Sequence, residues 1–473
     1  MLTRLEVSGF KNLVGFSVDF GPFTCIAGPN GVGKSNVFDA IRFLSLLADN
    51  TIMEAASLVR GSDVDTSDIR DLFLTNGNER ADSFKIAAEM IVEPKVHDDF
   101  GRPAEASSTY LRYEIEIGYE PATHRSLPGR FGRLVLLAES LTYITEGEAA
   151  TRLKFPNNAA RFRRKVVMNK RRTQAGYISV RRAEDGQTEI LVHADGGSRG
   201  PAQTAPAITA PRTIVATSNT SVTPTILAAR REMQRWRFLA LEPSAMRKPD
   251  RFQSQPFITA SGGHIPAALN RLVAEVGEPA DVYARIATRV AKLVPIIGLE
   301  LDVDEVRQLL TLMVSEQGGS KLPAASLSDG TLRFLALATL VADPLAERLI
   351  CIEEPENGIH PAKIPDMVDL LRDLAVDSDS QPGLDNPFRQ VIVATHSPVF
   401  VQLQHPDDLL LSVEARVKSP TGLPVRTLRC RPLQNTWRAR HGEPAVGLGT
   451  ILSYLSAPPG AQLELPGLEK LSA

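Results

Sequence analysis

The stretch CIAGPNGVGKSNVFDAIRFL, residues 25–44, decides the fold of this 473-residue chain. Within it, GPNGVGKS fits the phosphate-binding pattern GxxxxGK[ST]. A short apolar run precedes the glycines, and apolar residues at helical spacing follow them. This arrangement predicts a buried parallel strand, a loop and a helix, which is the context that the motif requires. We therefore predict a nucleotide-binding site around the loop.

The loop supplies several kinds of phosphate ligand. Glycines allow backbone N–H groups to converge on phosphate oxygens, and the helix N-terminus adds partial positive charge. Lys34 is expected to reach the β- and γ-phosphates, and the Ser35 hydroxyl to bind Mg²⁺. The predicted nucleotide-binding residues are Gly28, Asn30, Gly31, Gly33, Lys34, Ser35 and Asn36.

Two downstream strands end in further catalytic groups. RLICIEEPENGIHP predicts a strand over 349–352 followed by Glu353 and Glu354, and QVIVATHSPVF predicts a strand that ends at His396. Adjacent strand residues point to opposite faces, so we assign Glu353 to Mg²⁺ and Glu354 to the attacking water. His396 is predicted to sense the γ-phosphate at the carboxyl edge of the sheet. The alternatives are a solvated acidic turn and a structural histidine.

A second anion site is predicted far from the first. SLSDGTLRFLALATLVA, residues 326–342, reads as a helix with Ser328 as its N-cap. A helix N-terminus with Ser328 and Gly330 can bind an anion. One chain has no evident second nucleotide to occupy it.

These motifs resemble the ABC-type ATPases of the RecF, SMC and OLD group. Residues 2–41 resemble the group's opening hairpin and P-loop, including Phe10, Lys11 and Asn36, while EEPENGIHP and ATHSP resemble its carboxylate strand, D-loop and histidine switch. The chain is most similar to the stand-alone bacterial branch of AAA family ATP-binding proteins, which includes ATPase subunits of phage-defence systems.

The resemblance implies an α/β fold: a P-loop NTPase of ABC type with a bilobed head, a mixed sheet, an antiparallel β-subdomain and an α/β insertion. It implies ATP and Mg²⁺ as cofactors. It also implies that residues 327–331, with Ser328 and Gly330, are the family's signature motif, which opens the signature helix and binds the γ-phosphate held by a second subunit. ATP would then hold together a homodimer or a larger oligomer.

The sequence departs from the family in two places. The expected early glutamine is missing, since the first glutamine is Gln174, and Asn76, Asn78 or a backbone–water contact is expected to replace it. Only 77 residues follow His396, which is too few for the TOPRIM nuclease domain of OLD-type members. We therefore expect a separate effector protein.

Motif spacing predicts the domain organisation. Lys34 and Glu353 are 319 residues apart, which argues against a transporter subunit, and the signature helix argues against a ring-forming AAA+ motor. No heptad array for a long coiled coil is present, and residues 193–211 are expected to form a mobile loop. The expected units are ATPase lobe I (1–150), an insertion (151–255), ATPase lobe II (256–415) and a C-terminal tail (416–473).

A basic segment, residues 152–172, contains nine Lys and Arg residues and no acidic residue. Phe155 and Phe162 alternate with these charges, as in a groove that binds a nucleic-acid backbone and stacks bases. Docking of an acidic protein and a merely solvated loop are the alternatives. The candidate nucleic-acid contacts are Arg161, Arg163, Arg164, Lys165, Lys170, Arg171 and Arg172.

Composition narrows the setting of the protein. Hydrophobic residues make up 43% of the chain and the net charge is −2, so overall charge indicates no partner. The sequence contains no 18-residue apolar run and no signal-peptide core, and its three cysteines follow no metal-binding or disulfide pattern. We therefore expect a cytoplasmic protein that binds no membrane. Two roles stay open: an ATP-gated switch in DNA repair, recombination or phage defence, and an ATPase scaffold that controls a toxin or nuclease without touching nucleic acid.

Overall fold

The computed structural model describes residues 1–59, 68–77, 79–121, 132–171, 175–184, 186–195, 203–276, 278–291, 294–316, 318–418, 424–447 and 449. In chain order, its strands are β1 (Leu2–Ser8), β2 (Phe16–Asp19), β3 (Phe23–Ala27), β4 (Thr75–Asn76), β5 (Glu79–Arg80), β6 (Ser83–Ile91), β7 (Lys95–His97), β8 (Pro103–Glu105), β9 (Tyr110–Glu120), β10 (Arg133–Tyr143), β11 (Ile178–Arg182), β12 (Thr188–Val192), β13 (Gln203–Pro206), β14 (Trp236–Leu239), β15 (Asp250–Arg251), β16 (Ile296–Asp304), β17 (Leu309–Glu316), β18 (Lys321–Pro323), β19 (Leu349–Glu353), β20 (Gln390–Thr395), β21 (Leu409–Lys418) and β22 (Pro424–Pro432).

Its α-helices are α1 (Lys34–Leu47), α2 (Ile52–Leu58), α3 (Glu146–Arg152), α4 (Arg164–Val166), α5 (Ile214–Thr217), α6 (Pro224–Gln234), α7 (Pro243–Met246), α8 (Ile265–Val276), α9 (Pro279–Ala291), α10 (Asp329–Ala342), α11 (Ile364–Leu374), α12 (Pro398–Gln402) and α13 (Trp437–Arg440). A π-helical turn, Ala159–Arg163, leads into α4. No helix in the described ranges is long and apolar enough to cross a membrane.

The P-loop strand lies inside a mixed six-stranded sheet with the order β14-β19-β20-β3-β21-β22. The first five strands are parallel, and β22 is antiparallel to β21. Every residue of β3 is buried, as its continuous apolar run predicted. Since β19, β20 and β3 are parallel neighbours, their carboxyl ends lie at one edge of the sheet. This edge brings together the P-loop, Glu353 and His396.

The two faces of this sheet pack against different partners, because successive strand residues point to opposite sides. Ile26 and Cys351 belong to a core that also contains α1 and the inner face of an eight-stranded antiparallel sheet, with the order β13-β12-β11-β10-β9-β6-β1-β2. Cys25 and Ile350 belong to a second core with α8, α9, α10 and α11. A third sheet, β15-β17-β16 with β18 on β17, completes that second lobe. The bilobed α/β head with an antiparallel subdomain is therefore confirmed.

One expectation about the chain between the motifs needs correction. Part of the predicted mobile loop is a strand, because β13 pairs with β12 from Glu189 to Val192. The open edge of a sheet offers hydrogen bonds even to a segment without apolar periodicity. Residues 196–202 lie outside the described residues. The expected domain boundaries stay a prediction, although two of them divide a sheet. The insertion 151–255 contributes β11–β13 to the eight-stranded sheet and β14 to the six-stranded sheet, and the expected tail begins inside β21.

Candidate functional site

The P-loop connects β3 to α1, and glycines shape it. Gly31 and Gly33 have φ values of 83° and 103°, a left-handed backbone conformation that favours glycine. A Cβ atom on Gly33 would lie 2.4 Å from Asn12 Nδ2, so a larger residue there would displace the Asn12 side chain and strain the backbone. Asn12 donates from Nδ2 to the Val32 carbonyl oxygen and accepts from Asn36 Nδ2 at 2.8 Å. The two left-handed glycines and the hydrogen bonds of Asn12, which lies between β1 and β2, together fix the shape of the P-loop.

Lys34 is buried at the first position of α1. Its Nζ donates to the carbonyl oxygens of Gly28 at 2.6 Å and Pro29 at 2.8 Å. Burial lowers the pKa of Lys34, and three glutamates across the sheet edge oppose that shift. The N-terminus of α1 has no side-chain cap. A buried ammonium beside uncapped N–H groups fits an anion such as a nucleotide phosphate, and Asn30 and Ser35 are exposed on the same loop.

The residues that we expected to bind Mg²⁺ are in contact. Glu353 ends β19, and its carboxylate accepts a hydrogen bond from the Ser35 hydroxyl. Burial raises the pKa of Glu353, and the charges of Asp39 and Glu354 raise it further. A divalent cation here would offset this carboxylate charge, so the donor set fits Mg²⁺. Across the described ranges no three acidic, histidine or cysteine side chains form a ready-made metal site, so phosphate oxygens and water would complete the coordination.

Glu354 and His396 form a pair beside these groups. Glu354 lies just beyond the strand, with a φ of 49°, and its N–H donates to the Ala394 carbonyl oxygen at 2.8 Å. Its carboxylate lies 2.7 Å from His396 Nδ1 through Oε1 and accepts from Asn357 Nδ2 at 2.6 Å through Oε2. Glu353 and Glu354 thus have different hydrogen-bond partners, and their assignment to Mg²⁺ and to the attacking water stays a prediction.

Two further acidic residues at the site were missed by the sequence analysis. Asp39 lies one helical turn after Ser35 and accepts from Lys11 Nζ at 2.6 Å. Glu356 is 8% exposed, and burial raises its pKa. The Thr395 hydroxyl donates a hydrogen bond to Glu356 Oε1, whereas Oε2 is buried without a hydrogen-bond partner among the described residues. Two features of the sequence could have identified these residues. Asp39 is an acidic residue on the otherwise apolar face of α1, and Glu356 is the third acidic residue of EEPE, residues 353–356.

The predicted signature residues line a cavity that is separate from the P-loop. Ser328 is the N-cap of α10, and its Oγ accepts from the Thr331 N–H at 3.2 Å. Its Oγ also lies 2.8 Å from Thr331 Oγ1, and either hydroxyl can donate in this pair. When Thr331 is the donor, the Ser328 proton is available for another partner. The adjoining cavity has a volume of about 580 Å³ and is also lined by Gly330, His360 and Lys363. No P-loop residue lines it, so the structure does not bring the signature to the nucleotide site of the same chain.

A second cavity, of about 690 Å³, is lined by Lys11, Asn12 and Asn36. Asn76, one of the expected replacements for the family's glutamine, also lines it, and its Nδ2 donates to the Pro424 carbonyl oxygen at 3.4 Å. Its expected role stays a prediction, and the other candidate, Asn78, lies outside the described residues.

The basic segment is not the aromatic-lined groove that the sequence suggested. Phe155 and Phe162 are 3% and 0% exposed, and their rings pack against each other in a local core, so they cannot stack on bases. Lys170 is paired with Glu105 at 2.6 Å. Arg171 donates to backbone carbonyl oxygens and stacks on the ring of Tyr177, so Lys170 and Arg171 are already engaged.

Four candidate cations form what we call the basic turn: Arg161, Arg163, Arg164 and Lys165. Arg161, Arg164 and Lys165 are exposed, and the salt bridges of the described residues include none with these four. Phe162 anchors the turn in the core, with its ring 5.8 Å from that of Phe388. The remaining candidate, Arg172, lies outside the described residues.

Comparison with known proteins identifies the family. Residues 23–95 and 220–402, more than half of the chain, match the family model described as "AAA domain, putative AbiEii toxin, Type IV TA system". The unmatched residues 96–219 include β9–β13 of the eight-stranded sheet. The chain is also 53% identical over 45 residues to "Structural maintenance of chromosomes protein 1" of Schizosaccharomyces pombe, an alignment that covers 9% of this chain and 4% of that protein.

Similar solved structures are SMC heads. One is the SMC head bound to the C-terminal winged-helix domain of ScpA, with 15% identity, a TM-score of 0.48, and coverage of 92% of this chain and 98% of that chain. Another is the SMC head domain from Thermotoga maritima, with 12% identity, a TM-score of 0.38, and coverage of 92% and 99%.

Proposed function

We propose that this chain, which belongs to the AAA domain family whose model it matches, is an ATP-hydrolysing ABC-type switch that dimerises on ATP. One observation carries the proposal. Lys34, Ser35, Glu353 and Glu354 meet His396 at one sheet edge, whereas the cavity at Ser328 contains no P-loop residue. These two groups of residues would be the two halves of an ATPase site, and they do not line one cavity within a single chain.

Each residue at the sheet edge has a role that its contacts support. Lys34 and the uncapped N–H groups of α1 would bind phosphate, while Ser35 and Glu353 would hold Mg²⁺, which neutralises charge on the phosphates when bound. Glu354 would accept a proton from, or orient, the attacking water. Its hydrogen bond to His396 would fix the position of the carboxylate and would let the imidazole respond to the γ-phosphate.

The signature would complete the site of a second subunit. With Thr331 as the donor in their shared hydrogen bond, Ser328 could donate its hydroxyl proton to a phosphate while its oxygen caps α10. The positive end of that helix also favours a phosphate. A two-fold dimer in which each signature faces the other P-loop would use both halves. ATP would then act as the ligand that joins the two heads.

The cellular role that we propose is phage defence or DNA repair and recombination, together with a separate effector protein. The family description names a toxin of a toxin–antitoxin system, which supports a defence setting. The alternative is an ATPase scaffold that controls a toxin or nuclease without binding nucleic acid. Phe155 and Phe162 are buried and cannot stack on bases. Their burial weakens the sequence-based case for nucleic-acid binding and so favours the scaffold.

Salt dependence of DNA binding separates the two roles. If all four cations of the basic turn contact phosphates, log K should fall with log salt with a slope of about −3.6. Changing Arg161, Arg164 and Lys165 together to alanine should reduce that slope to about −1. The matched control changes Arg133, Arg181 and Lys321, which are already ion-paired. Binding that is absent, or unaffected by the basic-turn substitutions, would favour the scaffold.

The dimer itself is tested with Glu354→Gln, which keeps the size of the side chain but removes the carboxylate. With ATP and Mg²⁺, light scattering should show this variant as a stable dimer, and with ADP as a monomer. Hydrolysis should fall by roughly 10²-fold or more. A variant that binds ATP but stays monomeric at all protein concentrations would contradict the proposed switch.

A further inference from the structure

An acidic side chain lies beside the serine that would meet the partner's phosphate. Asp329 follows the N-cap Ser328 directly and is the first residue of α10. Its side chain is 57% exposed and lines the same cavity as Ser328 and Gly330. A carboxylate favours the N-terminus of its own helix, but it repels an approaching phosphate, and the repulsion grows as two heads close and exclude water.

Arg247 counters this charge and also holds the residue on the other side of the serine. Its Nη2 donates to Asp329 Oδ1 at 2.6 Å and to the Leu327 carbonyl oxygen at 3.0 Å. One guanidinium therefore brackets Ser328 on both sides. Arginine suits this arrangement because its planar group carries several donors in fixed directions and stays charged.

The segment that carries Arg247 is firmly supported. Met246, directly before it, is 1% exposed. Asp250, three residues later, is 4% exposed; its Oδ2 accepts from the Ala267 N–H at 3.0 Å, and its Oδ1 lies 2.5 Å from His264 Nδ1. Asp250 also pairs with Leu310 in the third sheet. Arg247 thus reaches the signature from a fixed position in the lobe.

We propose that Arg247 is a positioning residue for the signature: it neutralises Asp329 and fixes the turn from Leu327 to Asp329, so that Ser328 can meet the γ-phosphate of a second copy of this chain. The proposal rests on the proposed function and adds a specific requirement to it. The signature is competent only while the ion pair between Arg247 and Asp329 is intact or while the charge of Asp329 is absent.

A charge-rescue experiment tests this requirement. In the Glu354→Gln background, the dimer dissociation constant with ATP is measured by analytical ultracentrifugation for Arg247→Ala, Asp329→Asn and the double variant. Arg247→Ala should weaken the dimer by roughly tenfold to a hundredfold. Asp329→Asn should dimerise at least as well as the parent, and the double variant should recover most of the loss.

Two controls make the result specific. Arg251→Ala removes an exposed arginine from the same segment and should leave the dimer unchanged. The affinity of each monomer for a fluorescent ATP analogue should also stay within about twofold of the parent, because its P-loop is untouched.

The outcomes separate this inference from the proposed function. An Arg247→Ala dimer as tight as that of the parent would overturn the inference, and so would a double variant no better than Arg247→Ala, since neutralisation of Asp329 would then not be the role of Arg247. A parent that forms no dimer with ATP would overturn the proposed function, and this inference with it, before any variant is compared.

Discussion

Replacement of Lys34 by alanine should change the stability of the free protein little and weaken ATP binding strongly. In the free protein, Lys34 Nζ donates hydrogen bonds to the carbonyl oxygens of Gly28 and Pro29, and burial lowers the pKa of this ammonium group. Its loss removes two hydrogen bonds and also the cost of a buried ammonium, so the free energy of unfolding should change by no more than about 1 kcal/mol.

ATP binding should change far more. Loss of a buried charged partner typically costs about 2–5 kcal/mol, which weakens affinity by roughly 30-fold to several thousand-fold. At an ATP concentration of 100 times the wild-type Kd, ligand binding stabilises the wild-type protein by about 2.7 kcal/mol, and the variant by about 0.9 kcal/mol or less.

Urea unfolding with and without ATP and Mg²⁺ measures both effects. Lys85→Ala is the matched control, because Lys85 pairs with Glu116 on the antiparallel sheet and its side chain is 57% exposed. This control should keep the full stabilisation by ATP. A Lys34→Ala protein that is still stabilised by 2 kcal/mol or more under these conditions would show that Lys34 does not bind phosphate.

Two other predictions concern carboxylates. Glu353→Gln should weaken Mg²⁺ dependence without trapping a dimer, whereas Glu354→Gln should trap the dimer; the opposite result in light scattering would mean that the two roles are exchanged. Glu139 is completely buried, and it accepts from the Ile214 and Val215 N–H groups and from the Tyr113 hydroxyl. Burial raises its pKa from 4.5 to about 7. A raised carboxyl pKa stabilises the folded state at low pH, so the stability advantage of the wild-type protein over Glu139→Gln should decline by about 3 kcal/mol as pH rises from 4.5 to 7. An advantage that is constant over this range in urea titrations would refute the assigned pKa.

The sequence was sufficient for features that depend on local pattern. The apolar run before Gly28 predicted β3, and Ser328 was correctly predicted as the N-cap of α10. The strands that lead to Glu353 and His396 were also predicted, and their convergence follows from the rule that parallel strands end at a common edge. Such features are determined by residues close together in the chain.

Features that depend on distant partners were not predictable. Phe162 lies between basic residues, and only its packing against Phe155 and Phe388 shows that it is a core residue. The sequence around Gln203–Pro206 has no strand pattern, yet the open edge of β12 pairs with it. The bracket of Arg247 around Ser328 joins residues about 80 positions apart, and no local pattern indicates such a contact.

The central claim is that two chains share each ATPase site, and a mixture of two inactive variants tests it most directly. Lys34→Ala disables the phosphate half of a site, and Ser328→Arg places a bulky side chain at the helix N-terminus that must meet phosphate. A mixed dimer contains one doubly defective site and one intact site. An equal mixture should therefore regain up to about a quarter of wild-type ATPase activity if subunits pair randomly and sites act independently. ATPase activity in a variant shown to be monomeric would contradict the claim.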